Sequence, residues 1–229
     1  MLEAFGDDIW IAAGPHVTSA GFHYPTRMAV IRLADGGLFV WSPIALNDAL
    51  REEVRTLGEV RCIVAPSSLH HLALPQWRAA FPHAALYAAP GLRARRRDIT
   101  FDADLIDEPP ALWAEQIDQV LVRGNVITTE AVFFHRQSGV VLFTDLIQHF
   151  PDDWFSGWRA QIARWDRMTG PEPQAPNKFR LAFVDRKAAR ESLRIILAWP
   201  ARQVIMAHGA PVRAEARPFL QRAFAWLTP

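Results

Sequence analysis

Apolar residues recur along this chain with two periods, and the change of period marks its elements. Asp8 to Ala13 (DIWIAA) and Arg27 to Leu33 (RMAVIRL) are short β-like runs. Asp35-Gly36-Gly37 supplies a hairpin-type turn, after which Leu38 to Trp41 continues as a strand. From Asn47 to Leu57 the spacing becomes helical, with Asn47 as N-cap and Gly58 as the stop. Val60 to Ala65 (VRCIVA) is continuously apolar enough to read as a buried strand. A helix is expected over Pro75 to Phe81, with proline in its first turn, and a short strand over Ala85 to Ala88. Gly91 to Pro110 is polar and proline-rich and reads as loops.

Three further strands are predicted at Ile117 to Arg123, Glu130 to Phe134 and Val140 to Thr144, with a turn at Ser138-Gly139. Asp152 to Met168 is expected to be helical, with Trp154, Trp158 and Trp165 on one face that reads as core or a subunit contact. A loop follows at Gly170 to Pro176. Asp185 caps a helix to Ala198, Gln203 to Ala207 is a strand, and Ala214 to Leu227 is a closing helix. No linker divides residues 1–229, so one domain is expected. The order β-rich, α, β-rich, α predicts an α/β fold with a sheet-on-sheet core and helices outside, a four-layer αββα sandwich.

Composition narrows the function. Half of the 229 residues are hydrophobic and 21% are charged, which excludes a disordered or low-complexity chain. The 25 basic and 24 acidic residues balance, which disfavours a globally basic nucleic-acid binder. The densest basic run, Arg93, Arg95, Arg96 and Arg97, stands near Asp98, Asp102 and Asp104 and reads as a solvated, partly neutralised loop. Cys62 is the single cysteine, which excludes an intramolecular disulfide and a cysteine-built zinc site. The first residues lack a basic segment followed by an apolar one, and no apolar run approaches membrane-spanning length. A cytoplasmic location without membrane contact is therefore expected. Neither a glycine-rich phosphate loop nor a Gly-x-Ser-x-Gly elbow occurs.

The chemistry gathers where apolar strands end. Val60–Ala65 runs into Pro66-Ser67-Ser68-Leu69-His70-His71, Val140–Thr144 into Asp145, and Gln203–Ala207 into His208-Gly209. Ligand sites in α/β folds collect beyond the carboxyl ends of strands. Imidazoles with a carboxylate form a donor set that zinc and iron prefer. Each residue alone has a plainer explanation, as a loop histidine or a capping aspartate. Glu130 opens an apolar strand and offers either a metal ligand or a general base; an exposed strand-end carboxylate is the alternative. His135 is expected on the solvent side of its turn. His16, His23, Tyr24 and Arg27 read either as surface or as parts of loops overhanging a pocket.

These stretches together resemble the metallo-β-lactamase-fold family, and within it the divergent domain-of-unknown-function type. The resemblance runs through FGDDIWIAAG, RMAVIRLADGGLFVWSP, VRCIVAPSSLHHLALPQW, EAVFFHRQSGVVLFTDL and VIMAHGAP. It implies the αββα fold. Against the family's His-x-His-x-Asp-His motif, Pro66 and Ser68 replace the first two histidines, His70 replaces the aspartate, and His71 keeps the last histidine. The Gly-His-Thr motif is missing from Arg123 to Glu130, whereas Asp145 and His208 match the bridging aspartate and the terminal histidine.

The resemblance thus implies one divalent metal instead of two, zinc foremost, with iron or manganese as alternatives. His70, His71, Asp145 and His208 would hold it, with Glu130 and Asp145 as catalytic candidates. The activity implied is metal-dependent hydrolysis of a small-molecule substrate. A non-catalytic binding or scaffold protein is the rival, a non-haem iron enzyme the third reading, and a homo-oligomer is compatible with all three.

Overall fold

Two sheets form, and the chain fills them one after the other. The computed structural model describes residues 1–228. β1 (Glu3–Gly6), β2 (Ile9–Ser19), β3 (Phe22–Arg32) and β4 (Leu38–Trp41) are successive antiparallel partners. Three helices then alternate with parallel strands: α1 (Asp48–Leu57), β5 (Val60–Ala65), α2 (Leu74–Ala80), β6 (Ala85–Ala88), α3 (Leu92–Arg95) and β7 (Ala103–Asp104). Parallel neighbours need such crossovers, because a tight turn cannot join them. The second sheet takes β8 (Ile117–Val122), β9 (Glu130–His135) and β10 (Val140–Phe143) as a meander. Its fourth strand arrives only after α4 (Gly157–Trp165), α5 (Asn177–Ala182) and α6 (Arg186–Ala198). That strand, β11 (Gln203–Met206), pairs parallel to β10, and α7 (Ala216–Phe224) follows it. The strand orders are β1 to β7 in sequence and β11-β10-β9-β8.

Side-chain alternation turns these sheets into layers. In β4, Phe39 and Trp41 meet Phe133 and Leu142 of the second sheet, while Leu38 and Val40 pack with Leu50, Val54 and Trp77 of α1 and α2. Strands buried on both faces carry no polar positions, which is why LFVW and VVLF read as continuous apolar runs. The outer face of the second sheet is covered by Phe179 of α5, Leu193 and Ile196 of α6, and Phe219 and Leu220 of α7. Helix, sheet, sheet, helix is the predicted αββα order. Both predicted caps are present: Asn47 Oδ1 accepts from Leu50 N–H at 2.8 Å, and Asp185 Oδ1 from Ala188 N–H at 3.0 Å.

Several elements differ from the sequence expectation. β2 and β3 continue six and five residues beyond the predicted runs, through a bulge between Gly14 and Val17. Their tip is polar in pattern but is held by aromatic contacts: Phe22 packs on Phe155 and Trp158, and Trp154 Nε1 donates to the His23 carbonyl at 2.9 Å. α4 begins at Gly157, whose φ of 57° breaks the longer helix that was expected. Trp154 therefore lies outside the helix against Phe150 and His16, while Trp158 and Trp165 face solvent and not the core. The expected loop at Gly91 to Pro110 contains α3 and β7. His135 is buried and not solvent-facing, and its Nδ1 lies 2.7 Å from Ser138 Oγ.

Cys62 is fully buried in β5, and burial pushes its thiol pKa far above the ordinary range. Its reaction with a disulfide reagent such as 5,5′-dithiobis(2-nitrobenzoate) is expected to track unfolding in urea. Rapid stoichiometric labelling of the native protein would contradict this burial.

Candidate metal centre

The carboxyl ends of β5, β10 and β11 converge, although β5 belongs to the first sheet and the other two to the second. After β5 the Pro66 carbonyl accepts from Ala131 N–H of β9 at 2.8 Å, which ties the two sheets at this end. The chain then turns, His70 N–H donating to the Ser67 carbonyl at 3.3 Å. Ser67 Oγ donates to Asp145 Oδ2 at 3.1 Å. His70 Nε2 lies 3.5 Å from Asp145 Oδ2, and His208 Nε2 lies 3.5 Å from Asp145 Oδ1. The two imidazole centroids are 5.1 Å apart. One donor atom from each of His70, Asp145 and His208 falls within 4.8 Å of the others.

Each of the three side chains is oriented from behind. His208 Nδ1 is 2.7 Å from the Pro25 carbonyl of β3. A carbonyl only accepts, so Nδ1 carries a proton and donates to it, and Nε2 is the atom that faces a carboxylate oxygen. Nε2 and the carboxylate can meet through a proton on the ring or through a cation held between them. Arg27 of β3 donates through Nη1 to the Met206 carbonyl at 2.7 Å and to the Gly209 carbonyl, on either side of His208. Gly209 has φ of 142°, and a Cβ there would meet the His149 carbonyl oxygen at 2.5 Å, so only glycine permits this approach. His70 Nδ1 lies 2.8 Å from Ser42 Oγ. Burial alone would raise the Asp145 pKa, but the His70 and His208 imidazoles hold it far below the ordinary carboxylate range.

His71 and Glu130 are placed differently from the expectation. His71 stands outside the cluster, because its Nδ1 accepts from Arg96 Nη1 at 3.0 Å. Adjacent residues in this turn point apart, so His70 joins the cluster and His71 does not. Burial, with Arg95 and Arg96 beside it, lowers the His71 pKa to about 4. Glu130 is wholly buried, and neither of its oxygens is free for a metal or a water. Oε1 accepts from Thr144 N–H at 2.6 Å; Oε2 accepts from Asp145 N–H at 2.8 Å and Leu146 N–H at 2.9 Å. Burial and the nearby Asp145 carboxylate raise its pKa, and the three amides oppose that rise. Its place in the fold is to shape the turn that presents Asp145.

A cavity of about 660 Å³ opens over the cluster, a size suited to a small molecule. Asp145, His70 and His208 line it, as do Tyr24, Lys178 and Gln148. Tyr24 packs edge-on against His208 at 5.4 Å and accepts from Lys178 Nζ at 3.0 Å. Gln148 Oε1 is buried without a partner among the described residues. A buried acceptor of this kind costs about 1–3 kcal/mol unless a ligand or water supplies a donor. Sequence reading missed Pro25, Lys178 and Gln148. Their contributions come through a carbonyl and through contacts across the chain, which no local motif announces.

A family model described as "Domain of unknown function (DUF4336)" matches residues 17–156, more than half of the chain. The chain belongs to this family. The DUF4336 match contains His70 and Asp145, and His208 lies beyond it. No curated protein matches the chain. Its fold is that of the metallo-β-lactamases. The metallo-β-lactamase from Pontibacter korlensis aligns with a TM-score of 0.66 and 13% identity, covering 99% of this chain and 98% of that chain. The enzyme from Hirschia baltica gives 0.66 and 13%, covering 100% and 97%. FIM-1 from Pseudomonas aeruginosa, in its mono-zinc form, gives 0.64 and 16%, covering 100% and 96%.

Pro66 and Ser68, which the resemblance to metallo-β-lactamases sets in place of two histidines, offer no imidazole here. Ser68 Oγ lies 3.1 Å from Thr128 Oγ1, which also accepts from Ser68 N–H at 3.3 Å. Hydroxyls engaged with one another are poor zinc ligands, whereas His70, Asp145 and His208 form a set compatible with one divalent metal.

Proposed function

We propose that this protein is a metal-dependent hydrolase with a single metal held by His70, Asp145 and His208. The observation that carries the reading is the convergence of one donor atom each from His70, Asp145 and His208 within 4.8 Å, beside a cavity. Three protein ligands leave a coordination position open, as in catalytic zinc sites, whereas four would close a tetrahedral one. Moving His71 out of the cluster therefore favours catalysis over a purely structural ion. When bound, the metal supplies a Lewis acid and a water of lowered pKa.

The chain's own groups do the positioning. Ser42 and the Pro25 carbonyl fix the two imidazole rings. Ser67 and the Glu130-braced turn fix Asp145. Tyr24, Lys178 and Gln148 line the wall that a substrate would contact. Hydrolysis adds water across the scissile bond, the hydroxyl joining the electrophilic centre and the proton going to the departing group. Zinc is the metal the donor set favours, with iron or manganese as the alternatives to test.

The reading is tested with zinc-, iron- and manganese-loaded protein on p-nitrophenyl acetate, p-nitrophenyl butyrate and bis(p-nitrophenyl) phosphate. Hydrolysis that needs the metal and disappears in His208→Ala supports it. No turnover of any substrate with the site fully loaded would contradict it and favour a binding protein. Arg27→Met provides a further check on the geometry. It removes both bonds beside His208, so metal affinity is expected to fall about 10–100-fold with the fold retained, as for other outer-sphere partners. Competitive titration against a chromogenic chelator measures this, and unchanged affinity would contradict it.

A further inference from the structure

The arginine run after β6 is divided by the fold. Arg93 pairs with Asp104 at 2.6 Å, and Arg96 pairs with Asp98 at 2.7 Å while also donating to His71. Arg95 has no ion-pair or hydrogen-bond partner for its guanidinium among the described residues, and it lines the cavity. It is the one arginine that does so. Lys178 lines the cavity too, but its charge is met by Asp166 at 3.4 Å and its N–H by Tyr24. Among the described residues the only carboxylate lining the cavity is Asp145, and both of its oxygens face imidazoles.

Much of the remaining wall is apolar, including Ile44, Leu72, Ile127 and Phe179, and Leu72 is 63% exposed at the rim. An unneutralised guanidinium beside an apolar wall matches one class of ligand. Its charge attracts an anion, its fork suits the oxygens of a carboxylate, phosphate or sulfonate, and the wall accepts a hydrocarbon or aromatic body.

We propose that the cavity binds amphiphilic anions, with Arg95 as the residue that selects for the anionic group. This deepens the hydrolase reading, since the anion would be carried by the substrate of the same site. It does not depend on a metal being present.

The test uses two fluorescent probes of similar shape, anionic 8-anilinonaphthalene-1-sulfonate and neutral N-phenyl-1-naphthylamine. Both are titrated against the whole protein with and without chelator. The wild type is expected to bind the sulfonate more tightly than the neutral dye. Arg95, itself exposed at the cavity, acts in water, so Arg95→Gln is expected to weaken sulfonate binding about three- to fivefold, the scale of one exposed ion pair, and to leave neutral-dye binding unchanged. Arg97→Gln, an exposed arginine of the same run outside the cavity lining, is expected to change neither. Equal affinity for the two dyes would overturn the proposal, and so would sulfonate binding indifferent to Arg95→Gln. Metal content, measured on the same samples, separates the two readings: a protein that takes up no metal but shows Arg95-dependent sulfonate binding refutes only the hydrolase.

Discussion

Glu130→Ala is expected to lose about 3–5 kcal/mol of stability, because three buried backbone N–H groups would be left without an acceptor. That is a large share of the total for a domain, typically about 5–15 kcal/mol. Glu130→Gln is expected to lose less, about 2 kcal/mol, since one amide oxygen still accepts while the NH₂ opposes another donor. Urea unfolding followed by circular dichroism gives both values. A Glu130→Ala protein within about 1 kcal/mol of the wild type would show that the turn at Thr144 to Leu146 does not rest on this carboxylate.

Asp145→Asn is expected to remove metal binding while sparing the fold. The carboxylate is the only negative charge between the two imidazoles, and it also accepts from Ser67 Oγ. An asparagine of the same shape keeps the volume and one acceptor oxygen but carries no charge to hold a cation. Affinity should fall by more than about a hundredfold, beyond the range seen for outer-sphere partners. Metal at about a thousand times its dissociation constant adds about 4 kcal/mol to the wild type by linkage. The corresponding rise in Tm is expected to vanish in Asp145→Asn, while the chelated proteins melt at similar temperatures. A variant still stabilised by metal to the wild-type extent would place the ion elsewhere.

The layers of the fold were legible because burial on both faces leaves its mark in the chain. LFVW, VRCIVA and VVLF carry almost no polar position, and Asn47 and Asp185 announce their helices by capping chemistry. The parts that escaped depend on distant partners. The outer half of the β2–β3 hairpin is polar in sequence and is held by Trp154, Phe155 and Trp158, more than a hundred residues away. The three tryptophans looked like one helical face until Gly157, with its positive φ, started α4 after Trp154.

The site was legible to the same depth. Strand-end position pointed to His70, His71, Asp145 and His208, of which the structure brings His70, Asp145 and His208 together. Which of His70 and His71 turns inward depends on a single turn and on Arg96, twenty-five residues further on, and nothing local expresses that choice. Glu130 at a strand start could equally have faced solvent or substrate. Its burial becomes visible only when the Thr144 to Leu146 turn folds around it.

The most direct test of the metal centre is elemental analysis of untagged protein, stripped with chelator, reloaded with zinc and dialysed, for the wild type, His208→Ala and His71→Ala. The three-ligand site predicts about one zinc per chain in the wild type and in His71→Ala, and close to none in His208→Ala. A wild type without zinc, or a His208→Ala protein with undiminished zinc, would contradict it.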